Sequence, residues 1–143
     1  MEKSDVSILV VDDEAEIVSA LETHFQMEGY QVETASSARE ALEKVRNKAY
    51  QVVFTDINMP GMDGLELLEE VKAARGETLV IMITAYTSLM KVIQSRVEGA
   101  FDYILKPFRD LTEVDQVMSK AYAHLERWQR VLDQTREKVK ACR

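Results

Sequence analysis

One cysteine, two histidines and two prolines are all that this chain of 143 residues holds of the residue types that commonly mark disulfide frameworks, metal clusters and rigid turns. The lone Cys142 excludes an internal disulfide and a cysteine-based metal cluster. His24 and His124 have no partner at metal-ligand spacing and read as surface or partly packed residues. No apolar run approaches the ~20 residues that a membrane-spanning helix needs. The opening MEKSDV also lacks a signal-peptide core, so a cytoplasmic chain with no membrane partner is expected. Basic residues are outnumbered 18 to 25, and the net charge of −7 argues against direct nucleic-acid binding by this chain. The imbalance is uneven, because residues 1–125 carry 12 basic and 22 acidic groups whereas residues 126–143 carry 6 and 3.

What remains is a chain with 46% hydrophobic and 30% charged residues, the composition of one packed domain. Internal repeats and low-complexity segments are absent. Short apolar runs at 6–11, 31–34, 51–55, 79–83 and 101–105 alternate with amphipathic stretches at 14–28, 38–48, 65–75, 88–98 and from 111 onward. Gly29, Gly76 and Gly99 stand as helix stops. Most of the strands are too uniformly apolar to have a wet face, which suits a parallel sheet covered on both sides. Five such βα units predict an open, doubly wound α/β fold.

In sheets of this kind, ligands sit beyond the carboxyl ends of the strands, where the strand order reverses. The stretch FTDINMPGMDG, residues 54–64, puts Asp56 at the mouth of an apolar strand, a position where a carboxylate can be both solvated and useful. Asp12 and Asp13 follow the first strand, Thr84 the fourth and Lys106 the fifth. Three carboxylates gathered on one rim would raise one another's pKa unless a cation neutralised them, and Mg²⁺ suits a site of few carboxylates with room for a phosphate oxygen. Taken singly, Asp12 and Asp13 could cap the helix that begins at Glu14, Lys106 could be a solvated lysine and Thr84 an ordinary strand end. A calcium-loop reading of residues 56–67 fails, since Pro60 and Leu67 supply no ligand at the fifth and twelfth places. Met59 and Met62 read as loop packing.

VVDDE at 10–14, TDINMPGMDG at 55–64, ITAY at 83–86 and YILKPF at 103–108, in this order and each at its own strand end, resemble the receiver domains of bacterial two-component response regulators. The resemblance covers residues 5–122. It implies a flavodoxin-like sheet of order 2-1-3-4-5, a receiver at 1–122 and a C-terminal extension at 123–143. It further implies that Asp56 is the phosphoacceptor, that Asp12, Asp13, Asp56 and the Asn58 backbone carbonyl hold Mg²⁺, and that Lys106 contacts the phosphoryl group. Thr84 and Tyr103 become the switch pair, with a cis bond before Pro107. The implied function is a phosphorylation-dependent signalling switch charged by a histidine kinase or phosphotransfer protein and read out on the face of helix four, strand five and helix five. Such a switch is not a turnover enzyme. The rival readings are a Mg²⁺-dependent phosphohydrolase with Asp56 as nucleophile and a degenerate receiver that acts only as a scaffold; no water-activating base stands beside Asp56 for the first, and retention of the five rim residues weighs against the second.

Two stretches depart from the plain pattern. Helix four, MKVIQSRVEGA at 90–100, carries Met90, Ile93 and Val97 along one stripe and Arg96 where an apolar residue is common, which reads as a rotated core stripe or as a docking surface. From Leu111, apolar or small residues recur at 114, 118, 121, 125, 128, 132, 135, 139 and 142 with spacings of three and four, and no proline or glycine interrupts them. That pattern predicts one helix about 48 Å long, at ~1.5 Å per residue, whose end beyond Tyr122 projects from the domain. A parallel two-stranded coiled coil, hence a homodimer, would cover its stripe, with a frayed solvated helix as the alternative. No output module follows residue 122, so the expectation is a stand-alone regulator or part of a longer one.

Overall fold

The computed structural model describes residues 1–85 and 89–142. A short 3₁₀ turn at Lys3–Asp5 leads into β1 (Ser7–Val11), α1 (Ala15–Met27), β2 (Gln31–Ala35), α2 (Ala38–Asn47), β3 (Val52–Asp56), α3 (Gly64–Ala74), β4 (Leu79–Thr84), α4 (Leu89–Val97), β5 (Asp102–Leu105) and α5 (Thr112–Ala141). All strand pairs are parallel, and the sheet order is β2-β1-β3-β4-β5. This is the doubly wound arrangement expected from the alternation of apolar and amphipathic runs.

Side-chain alternation along the strands divides the core into two layers. Ile8 and Val10 of β1, Phe54 of β3 and Ile81 of β4 face α1 and α5, where Phe25, Val114, Met118 and Leu125 are buried against them. Leu9 and Val11, Val53, and Val80 and Met82 face the other way, onto Leu42 and Val45 of α2 and Leu68 and Val71 of α3. Every residue of β3 and β4 is buried, whereas the edge strands β2 and β5 are only partly covered. Among the described residues no helix is long and apolar enough to cross a membrane.

The element ends differ from expectation in ways that matter for the rim. Asp56 and Thr84 are the last residues of their strands rather than the first of their loops, with Asp56 paired to Ile83 and Thr84 to Leu105. Gly29 and Gly99 take positive φ at helix ends as expected, but Gly76 does not. Instead, α3 stops where the Arg75 N–H donates to Val71 O at 2.7 Å, and the Lys72 ammonium donates to the carbonyls of Gly76 and Thr78 at 3.1 and 2.6 Å. The expected start of the fourth helix at Ser88, and Tyr86 of the ITAY stretch, lie outside the described residues. Packing of α5 continues past Tyr122 to Leu125, which is buried in the same cluster as Phe25.

The junction between β3 and α3 has no room for a side chain. Asp63 caps α3 by accepting from the Glu66 N–H at 3.0 Å, and the Gly64 N–H donates to Ile57 O at 2.8 Å. A Cβ on Gly64 would lie 2.2 Å from the Asp56 carbonyl oxygen and 2.8 Å from Ile57 Cα, both backbone atoms that cannot swing away. Gly64→Ala is therefore expected to lower stability by about 1–3 kcal/mol, the usual range for overpacking. Urea unfolding that shows an unchanged midpoint would contradict this.

Candidate functional site at the carboxyl rim

Asp12 follows β1 directly, Asp56 ends β3, Thr84 ends β4 and Lys106 follows β5, so the parallel register brings all four to the same edge of the sheet. The Lys106–Pro107 peptide bond is cis, as the resemblance implied. Lys106 Nζ lies 2.9 Å from Asp12 Oδ2, 3.1 Å from Asp56 Oδ2 and 3.1 Å from Glu14 Oε1. Carboxylate oxygens of Asp12, Asp13 and Asp56 all fall within 4.8 Å of one another. The expectation that Asp56 would be solvated does not hold: it is 5% exposed and Asp12 only 1%, leaving Asp13 as the exposed member. Burial is tolerated because an ammonium that is itself 11% exposed sits between them.

Burial is the main influence on both carboxyls and pushes Asp12 and Asp56 above the ordinary 3.8. Lys106 opposes it in both. So do backbone donors, the Glu14 N–H to Asp12 Oδ1 at 2.9 Å and the Asn58 N–H to Asp56 Oδ1 at 3.2 Å. For Lys106, burial works against the charge, but the contacts with Asp12, Glu14 and Asp56 together outweigh it and its pKa rises above 10.5. The Lys106 contact with Asp12 is ionic without hydrogen-bond direction. Asp12 Oδ2 is thus a buried oxygen with no hydrogen bond among the described residues. An oxygen of that kind, next to two further carboxylates, is the donor set that a hard divalent cation takes. The residues present therefore fit Mg²⁺.

Thr84 is fully buried, and its hydroxyl donates to Ala85 O at 3.1 Å. Tyr103 is partly buried, packed with Val92 and Ala100 against the α2/α3 layer, and its hydroxyl is enclosed with no hydrogen bond among the described residues. Tyr103 pairs with Met82 and Thr84 with Leu105, so the two stand on adjacent strands two register positions apart. Two participants escaped the sequence reading. Glu14 is the third carboxylate on Lys106, and Lys91 of α4 donates to Asn58 Oδ1 at 3.2 Å and lies 3.6 Å from Asp63, tying α4 to the loop after β3. Glu14 stood in the VVDDE stretch; nothing in sequence marks Lys91, whose partners lie 33 and 28 positions away. His24, read as a surface or partly packed histidine without a partner at metal-ligand spacing, is partly packed and contacts Asp115 Oδ1 through Nε2 at 2.5 Å. The two are 91 positions apart, beyond any local spacing rule.

Residues 8–118 match the family model described as a response regulator receiver domain. This chain belongs to that family. The receiver is 38% identical over 124 residues to the transcriptional regulatory protein ZraR of Klebsiella oxytoca, a match covering 87% of this chain and 28% of that one. It resembles the crystal structure of NtrX from Brucella abortus with a TM-score of 0.82 at 33% identity, covering 89% of this chain and 29% of that one. A receiver domain protein from Clostridium thermocellum superposes with a TM-score of 0.79 at 31% identity, covering 85% of this receiver and 97% of its own length. This chain thus spans just over a quarter of the curated relative it matches.

The raised Asp56 pKa has a stability consequence in the metal-free receiver. Because the folded value lies above the unfolded 3.8, the folded state holds the proton more tightly. The contribution favours folding below 3.8 and is lost as pH rises through the folded value. Asp56→Asn removes the buried charge at constant shape. In the presence of EDTA the variant is expected to unfold at higher urea than wild type at neutral pH, with the gap closing as pH falls toward 3.8. A variant no more stable than wild type at neutral pH would show that Lys106 already cancels the burial cost.

Proposed function

We propose that this chain is a phosphorylation-dependent switch that accepts a phosphoryl group on Asp56 from the phosphohistidine of a histidine kinase or phosphotransfer protein. The observation that carries the reading is the single ammonium of Lys106 held against both Asp12 and Asp56 at the carboxyl rim. A carboxylate oxygen of Asp56 attacks phosphorus, an O–P bond forms, the P–N bond breaks and its electron pair returns to the imidazole. Asp12, Asp13, Asp56 and the Asn58 backbone carbonyl would hold Mg²⁺, whose chemistry is to neutralise charge on the phosphoryl oxygens. Lys106 has only to exchange a carboxylate oxygen for a phosphoryl oxygen. Thr84, whose hydroxyl now serves a neighbouring carbonyl, is the donor that follows the new charge. The group transferred is the protein's own modification, so the chain acts on itself and turns over no external metabolite.

The signal would leave through α4, β5 and α5. α4 supports this role because its only fully buried residue among those described is Ser95, while Met90 and Val97 are 74% and 84% exposed. The stripe expected either as rotated core or as docking surface is therefore predominantly on the surface. Tyr103, its hydroxyl enclosed with no hydrogen bond among the described residues, supports a side chain poised between two packings. The reading locates the protein in the cytoplasm, without direct DNA contact by this chain. Any transcriptional output would belong to a further region, by analogy with the regulator it matches.

For α5 we propose a parallel dimer. The helix is 30 residues long, about 45 Å at 1.5 Å per residue. Beyond the buried Leu125, its stripe leaves Trp128, Thr135, Val139 and Cys142 exposed and Leu132 half-buried. A second copy is the partner that an in-register stripe fits.

Incubation with a small phosphodonor is expected to give one Mg²⁺-dependent, hydroxylamine-labile adduct, absent in Asp56→Asn. A full equivalent on the variant would move the acceptor elsewhere, many turnovers would favour a phosphohydrolase, and no adduct on wild type would favour a scaffold. Lys106→Ala should retain Mg²⁺ binding but lose the Tyr103 NMR response to phosphorylation; identical responses would remove Lys106 from the relay. Full-length chain should sediment as a dimer, give a Cys142-linked dimer on mild oxidation, and become monomeric when truncated after Glu126, which spares Leu125. A monomer in both phosphorylation states would sink the coiled coil.

A further inference from the structure

A second group of metal-ligating side chains lies away from the rim, where α1 meets the first turn of α5. His24 sits in the last turn of α1, Glu28 caps it four residues on, and Asp115 projects from α5. Spacing of four places His24 and Glu28 on one helix face. His24 Nε2 already contacts Asp115 Oδ1 at 2.5 Å, and donor atoms of all three residues lie within 4.8 Å of one another.

We propose that His24, Glu28 and Asp115 form a second metal site, suited to Zn²⁺ and distinct from the oxygen-only Mg²⁺ site. A tetrahedral ion with ligands at ~2.0–2.2 Å requires its donors to be roughly 3.3–3.6 Å apart, so the His24–Asp115 pair at 2.5 Å must open slightly. The side chains have that freedom, since Glu28 and Asp115 are 43% and 48% exposed and His24 is 21% exposed. Glu28 pairs with Lys3 at 3.4 Å, a surface pair of small energy that a metal can displace. Three protein ligands at the surface leave a fourth position for water.

The imidazole decides the class of ion. The rim offers carboxylate oxygens alone, which suit Mg²⁺, whereas a neutral imidazole with two carboxylates suits Zn²⁺ or its transition-metal neighbours. Glu28 and Asp115 bring two carboxylates to this corner against the ammonium of Lys3. A metal here would staple α5 to α1 at the base of the long helix.

The test is a Zn²⁺ titration of the full chain at neutral pH in competition with a chromophoric chelator and with excess Mg²⁺ present. One equivalent is expected, with affinity falling about tenfold or more in His24→Ala and in Asp115→Asn, at least the loss typical of outer-shell changes. Cys142→Ser and Asp56→Asn should bind as wild type does, which separates this site from the thiol and from the rim. In the wild-type protein, Zn²⁺ should move the imidazole NMR signals of His24 while those of His124, packed on Phe101, stay in place. Undiminished affinity in His24→Ala, loss of the equivalent in Cys142→Ser or Asp56→Asn, a shift of His124 instead, or no bound equivalent would each overturn the site.

Discussion

Lys106 supplies the positive charge around which the rim is arranged. Asp12 and Asp56 are driven out of water by the strands that carry them, and burial alone would force both toward the neutral form. The ammonium, buried with them, holds the pair in reach of ionisation. The parallel register of β5 against β4 determines where that ammonium arrives. Even the crowding at Gly64 belongs to this arrangement, because α3 can begin against the Asp56 carbonyl only where no side chain intervenes.

A site built this way sets one ammonium against three carboxylates, Asp12, Glu14 and Asp56, with Asp13 beside them, and so carries an excess of negative charge. Among the described residues Asp12 Oδ2 is met only by the Lys106 ammonium at 2.9 Å, and the Tyr103 hydroxyl lacks a hydrogen bond. A buried hydroxyl left unpaired costs folding free energy of about 1–3 kcal/mol. These two groups are the positions at which a new charge or cation finds something to gain. The same incompleteness extends to α4, which presents most of its apolar side chains to solvent and is tied to the β3–α3 loop through Lys91.

Much of this was legible in the residues. The runs ILVV, VVF and LVIMI are apolar at both parities, which predicts strands covered on two faces, and those three strands form the buried centre of the sheet. Placing a polar residue at each strand end was sufficient to gather Asp12, Asp56, Thr84 and Lys106. Three features were not legible. The depth at which Asp56 sits depends on how far its neighbours overhang it. The stop after α3 uses a lysine reaching forward over two carbonyls, where a left-handed Gly76 had been expected. The partnership of His24 with Asp115 joins opposite ends of the chain, and only the packing of α5 beside α1 creates it.

The direction in which α5 leaves the domain has a mechanical consequence. Leu125 and Trp128 line a groove with Met1, Gln51 and Thr78, residues that precede the strands, so the helix departs at the edge of the sheet opposite the acidic rim. Its last eight residues, 134–141, lie past Asp133, the last residue of the helix that lines the groove, and form a lever of about 12 Å at ~1.5 Å per residue. A tilt of about 10° at Asp133, within the range of known hinge and shear motions, displaces the tip by about 2 Å. Sub-ångström repacking near the strand ends can thus arrive at the far end of the molecule as a movement large enough to change which residues of a neighbouring helix are met.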